Sequence, residues 1–301
     1  MVTRIRAAWT ARGRLLDGAG LLTALAFGLA VGMGYLTLGV RPVDTDMIWR
    51  VAGADQYYGL VWGADTASRY VYPPALAQVV GFVRPIGWPA FLVAWQVIVF
   101  AALWAATRSW APVVFAAGLV SAVVMGYGSP LANPITLALV GNIQSIVAAA
   151  IVVGLRRPAA WSFVLLTKIG PGIGVLWFVA RGEWRRAATA VGVTAAVAFV
   201  SFVLAPSAWA DFVGFAVANA GTTPPLDVIP VPLIVRVPLV AGALVWAART
   251  DRPWVVPLAV AWASLALYTW SWISISVAAL PLWSSSHAVR DPGTGTTGSR
   301  R

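Results

Sequence analysis

The segment LLTALAFGLAVGMGYLTLGV, residues 21–40, decides the fold class of this chain. Its twenty uncharged residues match the length that crosses the hydrocarbon core of a bilayer as an α-helix. Similar apolar runs recur at 88–107, 111–127, 136–155, 184–205, 229–248 and 254–284. The sequence therefore predicts an all-α, polytopic transmembrane bundle of about 8–10 hydrophobic helices, including short juxtamembrane and re-entrant ones.

The composition supports a membrane protein and excludes several kinds of site. Of 301 residues, 60% are hydrophobic and 10% charged, whereas soluble domains average about 25% charged residues. Cysteine is absent, which excludes disulfide and thiolate chemistry, and the single histidine, His287, lies in the polar tail. The net charge of +11 comes from short basic clusters between apolar runs, so it indicates membrane topology and not a nucleic-acid-binding face.

The arginine clusters predict the sidedness of the chain, because cytoplasmic loops are enriched in basic residues. A single membrane domain, 1–284, would have a cytoplasmic N-terminus (1–20) and a first extracytoplasmic loop at 41–74. Run 75–83 would lie along the outer surface, 159–180 would form a re-entrant hairpin, and 254–284 would turn near 268–272. The tail, 285–301, is predicted to be disordered. The composition favours a bacterial plasma membrane.

The carboxylates of VDTDMIW, residues 43–49, are the first candidate for chemistry. A carboxylate at a membrane interface can act as a general base or hold a cation, so Asp44 and Asp46 are candidates. A solvated loop start explains the same spacing.

Two further motifs carry candidate substrate contacts, each with a structural alternative. In SRYVYPP, 68–74, the prolines can open a short helix and the tyrosines suit the headgroup level. In GNIQ, 141–144, Asn142 and Gln144 place amides near the start of a span, where they either contact substrate or bond to neighbouring helices.

Lys168, the only lysine, interrupts the apolar segment 159–180. A lone cation in such a segment is costly, which favours a functional role with an anionic partner over snorkelling to the interface. Four other cations fall on the outer side or within apolar runs: Arg50, Arg69, Arg84 and Arg236.

In their order along the chain these motifs resemble the GT87 family of GT-C membrane glycosyltransferases, which use polyprenyl-phosphate sugars and include actinobacterial α-mannosyltransferases. The resemblance covers about residues 20–284. The matching motifs are Asp46-Met47-Ile48-Trp49, Tyr72-Pro73-Pro74, Gly141-Asn142-Ile143-Gln144 and Lys168 with Pro171. The chain departs from the family pattern after Trp272, where Ile273 and Ser274 replace a late histidine.

The resemblance implies an inverting transfer of a sugar, with mannose expected, from a polyprenyl phosphate to a glycolipid or polysaccharide acceptor at the extracytoplasmic face. Asp46 would be the general base, with Asp44 as second choice. Lys168, and then Arg69, Arg84 and Arg236, would bind the donor phosphate. Substrate contacts would come from Tyr72, Pro73, Asn142, Gln144, Trp49 and Trp272. No cofactor is implied, although D-T-D could hold a divalent cation.

This mechanism requires that the hairpin carrying Lys168 reach well into the bilayer, because the sugar chemistry lies outside. Two alternatives remain open at this point. A transporter or flippase for a lipid-linked sugar would also use broken helices and intramembrane cations, although the sequence shows no internal repeat. A non-catalytic subunit that binds polyprenyl-linked sugars is the third hypothesis.

Overall fold

The chain folds into α-helices joined by turns. The computed structural model describes residues 2–52, 70–219, 231–264 and 271–288, and none of these residues forms a strand. The α-helices, in chain order from α1 to α15, are Val2–Leu38, Val43–Val51, Pro74–Val83, Trp88–Thr107, Ala111–Met125, Asn133–Leu139, Gln144–Gly154, Trp161–Thr167, Leu176–Ala180, Trp184–Leu204, Pro206–Asn219, Leu233–Arg249, Val255–Trp262, Ile273–Ser276 and Ala279–Ala288.

In the part of the chain that the structure describes, three helical stretches are long and apolar enough to cross a membrane, namely Asp17–Leu38, Trp88–Met125 and Trp184–Leu204. The pair α6 and α7 meets the same criterion but is bent by 113°. Shorter apolar helices accompany them, including Pro74–Ile86 and Gly170–Ala180. The predicted all-helical fold with short apolar helices is therefore confirmed, and its long helices indicate a multi-pass membrane protein.

The stretch Trp88–Met125 reverses direction at Arg108, whose backbone has a positive φ of 53°. The rings of Phe100 in α4 and Phe115 in α5 lie 6.1 Å apart. Fifteen residues of a continuous helix would separate them by about 22 Å. Hence α4 and α5 form a helical hairpin, as the separate runs 88–107 and 111–127 predict.

Helix α1 packs antiparallel along α4 through its glycines. A Cβ on Gly28 would lie 2.7 Å from the Val97 Cα, and one on Gly32 would lie 2.9 Å from the Val93 Cα. Small residues four apart let two apolar helices approach backbone to backbone, which maximises van der Waals contact where lipid supplies no hydrophobic driving force. This contact fixes the position of the segment after α1, where the candidate carboxylates begin.

Segment 159–180 folds back on itself as a hairpin. A Cβ on Gly174 in the returning arm would lie 2.2 Å from the Trp161 indole of α8, and one on Gly172 would lie 2.2 Å from the Leu165 side chain. The flanks of the hairpin meet, because Arg186 Nη2 donates to the Arg156 carbonyl at 3.4 Å. The two arms therefore start and finish at the same end of the bundle, with Lys168 at the tip between them.

Arg156, Arg181 and Arg186 lie together at one end, which these three residues define and which we call the basic end. The helix α4 separates this end from the carboxylate end, defined by Asp44 and Asp46. At about 1.5 Å per residue, the twenty residues of α4 span about 30 Å. One end of α4 is Trp88, which lies under the Arg41 guanidinium at 4.8 Å.

Several features differ from the sequence-based expectation. The predicted loop 41–74 contains α2, the predicted outer loop 206–228 contains α11, and α15 continues to Ala288, beyond the expected start of the tail at 285. The run 136–155 is broken between α6 and α7. Long apolar runs reveal helices that could span a membrane, whereas short helices form where tertiary contacts hold them. Most of the predicted turn at 268–272 lies outside the described residues, because the structure does not describe 265–270.

Candidate functional site

The break between α6 and α7 organises the candidate site. Gly141 adopts a positive φ of 77°, and a Cβ there would lie 1.8 Å from the Thr45 hydroxyl oxygen. Only glycine lets α2 settle against this turn. The carbonyls at this break accept hydrogen bonds from neighbouring helices. Leu139 accepts from the side chains of Tyr35 and Gln96, and Gly141 accepts from the Trp95 indole. Val140 accepts from the backbone N–H groups of Asp44 and Thr45. The carbonyl groups of this irregular backbone thereby find hydrogen-bond donors inside the protein.

Asp44 is directed toward this break from the first turn of α2. Its Oδ2 accepts a hydrogen bond from Asn142 Nδ2 at 3.0 Å. Asn142 Oδ1 in turn accepts from the Gln144 backbone N–H at 3.0 Å, which satisfies a free donor at the start of α7. Asn142 thus orients Asp44 and supports α7 at once.

Lys168 reaches the same place from the hairpin tip. It follows α8, and its backbone N–H donates to the Val164 carbonyl at 2.7 Å. Its positive charge interacts with the Asp44 carboxylate, although none of the ion pairs among the described residues joins the two groups. The hairpin therefore brings the only lysine within electrostatic range of a carboxylate of the first interhelical segment.

The electrostatic setting of Asp44 suits proton transfer. Burial raises the pKa of Asp44 above its ordinary value, while the hydrogen bond from Asn142 and the charge of Lys168 act in the opposite direction. A carboxylate whose pKa is raised toward neutral pH is a better general base than an ordinary one. Asn142 and Lys168 favour the charged form of this carboxylate, whereas burial favours the neutral form.

Asp46 has a different environment from Asp44, two residues away. It is buried, and its carboxylate pairs with Arg41 at 2.9 Å and with Arg50 one turn further along α2. Residues two apart on a helix do not face each other, so the two carboxylates point to different surroundings. The ion pairs with two guanidinium groups make Asp46 an anchor for α2.

The other predicted cations have structural partners. Arg84 stacks on Trp49 at 4.9 Å and donates to the Trp49 carbonyl at 3.3 Å. Arg236 is 2% exposed and donates at 2.8 Å to each of three carbonyls: Val231, Trp262 and Ser264. It therefore holds the end of α13, next to the place where Gly170 of the hairpin fits against the Ala263 carbonyl. Arg69 lies outside the described residues.

The Tyr-Pro-Pro motif begins α3 and is packed inside the protein. The Tyr70 hydroxyl donates to the Pro73 carbonyl and accepts from the Ala77 backbone N–H, both at 2.9 Å. The Tyr72 ring lies edge-on to Tyr70, with centroids 5.4 Å apart. Tyr72 and Pro73 are buried, so the motif fixes the start of α3 against the neighbouring helices.

The remaining predicted contacts divide into two kinds. Gln144 is 4% exposed and its Oε1 has no hydrogen-bond partner in the described part of the chain. A buried amide oxygen of this kind is available to a hydroxyl group. Trp272 is half-buried and its ring lies 6.1 Å from that of Trp262, which indicates packing near α14.

Sequence reasoning missed two polar residues at the site, Gln96 and Thr45. Gln96 is fully buried, and its Nε2 donates to the Leu139 carbonyl at 3.2 Å and to the Thr45 hydroxyl at 3.5 Å. A lone amide in the apolar run 88–107 was the available signal, because polar side chains in such helices usually bond to neighbours. As for metals, the described residues contain no group of three or more ligating side chains.

Comparison with known proteins adds no identification: no family model matches this chain, and no curated protein or solved structure matches it either. The resemblance to GT-C glycosyltransferases therefore depends on the ordered motifs alone.

Proposed function

We propose that this protein is a membrane glycosyltransferase that moves a sugar from a polyprenyl phosphate to a hydroxyl-bearing acceptor. The observation that carries the proposal is the hydrogen bond between Asp44 and Asn142 at the break between α6 and α7, within electrostatic range of Lys168. A base beside a cation is the pair that transfer from a sugar phosphate needs. The basic end would face the cytoplasm, and the carboxylate end would face outward, following the positive-inside rule.

In the proposed step, an acceptor oxygen attacks the anomeric carbon from the side opposite the phosphate, and its proton passes to an Asp44 carboxylate oxygen. The bond between the anomeric carbon and the phosphate oxygen breaks, and its electron pair stays on the polyprenyl phosphate. One glycosidic bond forms as one sugar–phosphate bond is lost, and the configuration inverts.

Lys168 supplies the second requirement, because negative charge grows on the departing phosphate. A cation already held at that position stabilises the transition state without reorganisation during the reaction. The hairpin tip is anchored for this role, since Gly170 fits against Ala263 and Arg236 holds the adjoining carbonyls. The Gln144 amide oxygen would accept a hydrogen bond from a sugar hydroxyl.

This assignment prefers Asp44 over Asp46 as the base. Both carboxylate oxygens of Asp46 already pair with guanidinium groups, so Asp46 serves to hold α2. Asp44 has one amide donor and a nearby ammonium group, which leaves acceptor capacity on its carboxylate.

The test is sugar transfer from labelled polyprenyl-phosphomannose to glycolipid acceptors by wild type, Asp44→Asn and Asp46→Asn. We expect Asp44→Asn to lower turnover by about 10²–10⁴-fold, the usual contribution of a positioned base, and Asp46→Asn to retain transfer. Loss of sugar transfer in Asp46→Asn but not in Asp44→Asn would assign the role of base to Asp46. Movement of the labelled lipid between leaflets without transfer by wild type would favour the flippase alternative.

A further inference from the structure

A cleft at the basic end lies apart from the carboxylate site. Its volume is about 230 Å³, and its charged lining comes from Arg156, Arg181, Glu183, Arg186 and Asp251. Arg156 and Asp251 follow the ends of α7 and α12, Arg181 and Glu183 lie between α9 and α10, and Arg186 is in the first turn of α10, so the cleft forms where several helices meet.

The charges of the cleft do not cancel. Arg181 binds Glu183 at 2.8 Å and Asp251 at 2.7 Å, and Arg186 binds the second oxygen of Glu183 at 2.9 Å. Arg181 and Arg186 therefore form all the ion pairs that the structure describes for these two acids. Arg156 is the third cation of the lining, and no acid of the described residues forms an ion pair with it. The cleft keeps one excess positive charge.

The two paired guanidinium groups are held in place by aromatic rings. Arg181 lies over Trp177 at 5.2 Å, and Arg186 lies over Phe178 at 5.6 Å. Arg186 also donates to the Arg156 carbonyl, which ties the end of α7 to the start of α10. A preorganised arginine group loses little entropy on binding an anion, and guanidinium geometry matches phosphate oxygens.

The position of the cleft at the end of the long helix α10 indicates which anions are available to it. Trp184, the first residue of α10, is 66% exposed and is adjacent to Arg185. An exposed tryptophan next to arginine at the end of a long apolar helix is typical of the membrane–water interface. The anions concentrated at that level are lipid headgroups, and basic pockets between apolar helices bind them.

We propose that this cleft binds the phosphodiester headgroup of an anionic phospholipid, separate from the sugar donor. One phosphodiester charge matches the excess charge of Arg156, and the acyl chains would lie along the apolar sides of α7 and α10. The lipid would join α7 to α10 at the end opposite the chemistry. This site is independent of the proposed glycosyl transfer.

The test measures lipid retention by the purified full-length chain in detergent, using native mass spectrometry with phosphatidylglycerol or phosphatidylcholine. Wild type should retain phosphatidylglycerol selectively. Arg156→Gln should bind it about tenfold more weakly than Arg157→Gln, because only Arg156 lines the cleft, although both variants lose the same charge. Arg156→Lys should recover part of the selectivity.

Three results would overturn the proposal. Equal losses in Arg156→Gln and Arg157→Gln would reduce the effect to general charge attraction. Equal retention of the two lipids by wild type would exclude an anionic headgroup site. Displacement of phosphatidylglycerol by equimolar inorganic phosphate would assign the cleft to a free anion. None of these readouts uses sugar transfer, so a failure here is distinguishable from a failure of the proposed reaction.

Discussion

The two ends of the bundle use carboxylates in opposite ways. At the basic end, burial would raise the pKa of Glu183, but the hydrogen bonds and charges of Arg181 and Arg186 outweigh it and lower that pKa. At the carboxylate end, burial prevails and the pKa of Asp44 is raised, although Asn142 and Lys168 oppose it. Direct pairing with arginine favours the charged form of a carboxylate and stabilises structure. An amide and a more distant ammonium leave a carboxylate that can take up a proton.

The largest effect is expected from removing the cation at the carboxylate end. Lys168→Met should lower kcat of sugar transfer by about 10²–10³-fold, the usual effect of deleting one preorganised group that stabilises developing negative charge. Since the Lys168 charge lowers the pKa of Asp44, the acidic limb of the pH–rate profile should also move to higher pH. Lys168→Arg, which keeps the charge, is the control. An unchanged kcat for Lys168→Met would remove this residue from the reaction.

A smaller effect is expected when the amide partner of Asp44 is removed. Asn142→Ala deletes a hydrogen bond to a charged group and should reduce kcat about tenfold. That hydrogen bond lowers the pKa of Asp44, so its loss raises this pKa further. As the pH is lowered, the variant should therefore lose activity at a higher pH than wild type. The pH–rate profiles of variant and wild type, measured with their thermal unfolding curves, test this. Superimposable profiles would separate Asn142 from the titration of the base.

The anchor role of Asp46 predicts an effect on stability. Asp46→Asn leaves Arg41 and Arg50 without their carboxylate, and those arginine side chains are 54% and 67% exposed. Because solvent screens such pairs, the free energy of unfolding should fall by only about 1 kcal/mol. Thermal unfolding of the purified protein measures this loss. A stability equal to that of wild type would mean that the ion pairs do not anchor α2.

The smallest effect is expected from Glu183→Gln at the basic end, with a loss of about 0.5–1 kcal/mol of stability and unchanged transfer. The folded-state pKa of Glu183 is lowered, so its contribution is present above the unfolded-state pKa and disappears as the pH falls through the folded-state value. The unfolding curves of variant and wild type should therefore differ at neutral pH and converge in acid. A large loss of transfer would contradict the division between the two ends.

Two long helices, α4 and α10, could be predicted from sequence with good boundaries, whereas α1 begins at Val2, well before the predicted start at residue 21. The run 88–107 coincides with α4, Trp88–Thr107, and 184–205 differs from α10, Trp184–Leu204, by one residue. These helices are continuous apolar stretches bounded by charged or helix-breaking residues, so their ends are visible locally. Helix α2 was not predicted, because its position depends on the contact between Thr45 and Gly141, which are far apart in the chain.

The candidate site was predicted as separate residues but not as an arrangement. Asp44, Asn142 and Lys168 each stood out as polar groups beside apolar runs. Their meeting depends on the bend of 113° between α6 and α7 and on the hairpin that presents Lys168. The choice of Asp46 as the base followed from the resemblance, whereas the ion pair with Arg41 became visible only once α1 and α2 were positioned.

The sequence by itself determined that this chain is a helical membrane protein, where its long apolar runs lie, and which polar residues interrupt them. Hydropathy and charge are properties of each segment, and a bilayer selects on them directly. Only the tertiary structure decided which of two neighbouring carboxylates is neutralised by arginine and which lies near the lysine. The proton affinity of a carboxylate depends on burial and on charges a few ångströms away, and those neighbours come from distant parts of the chain.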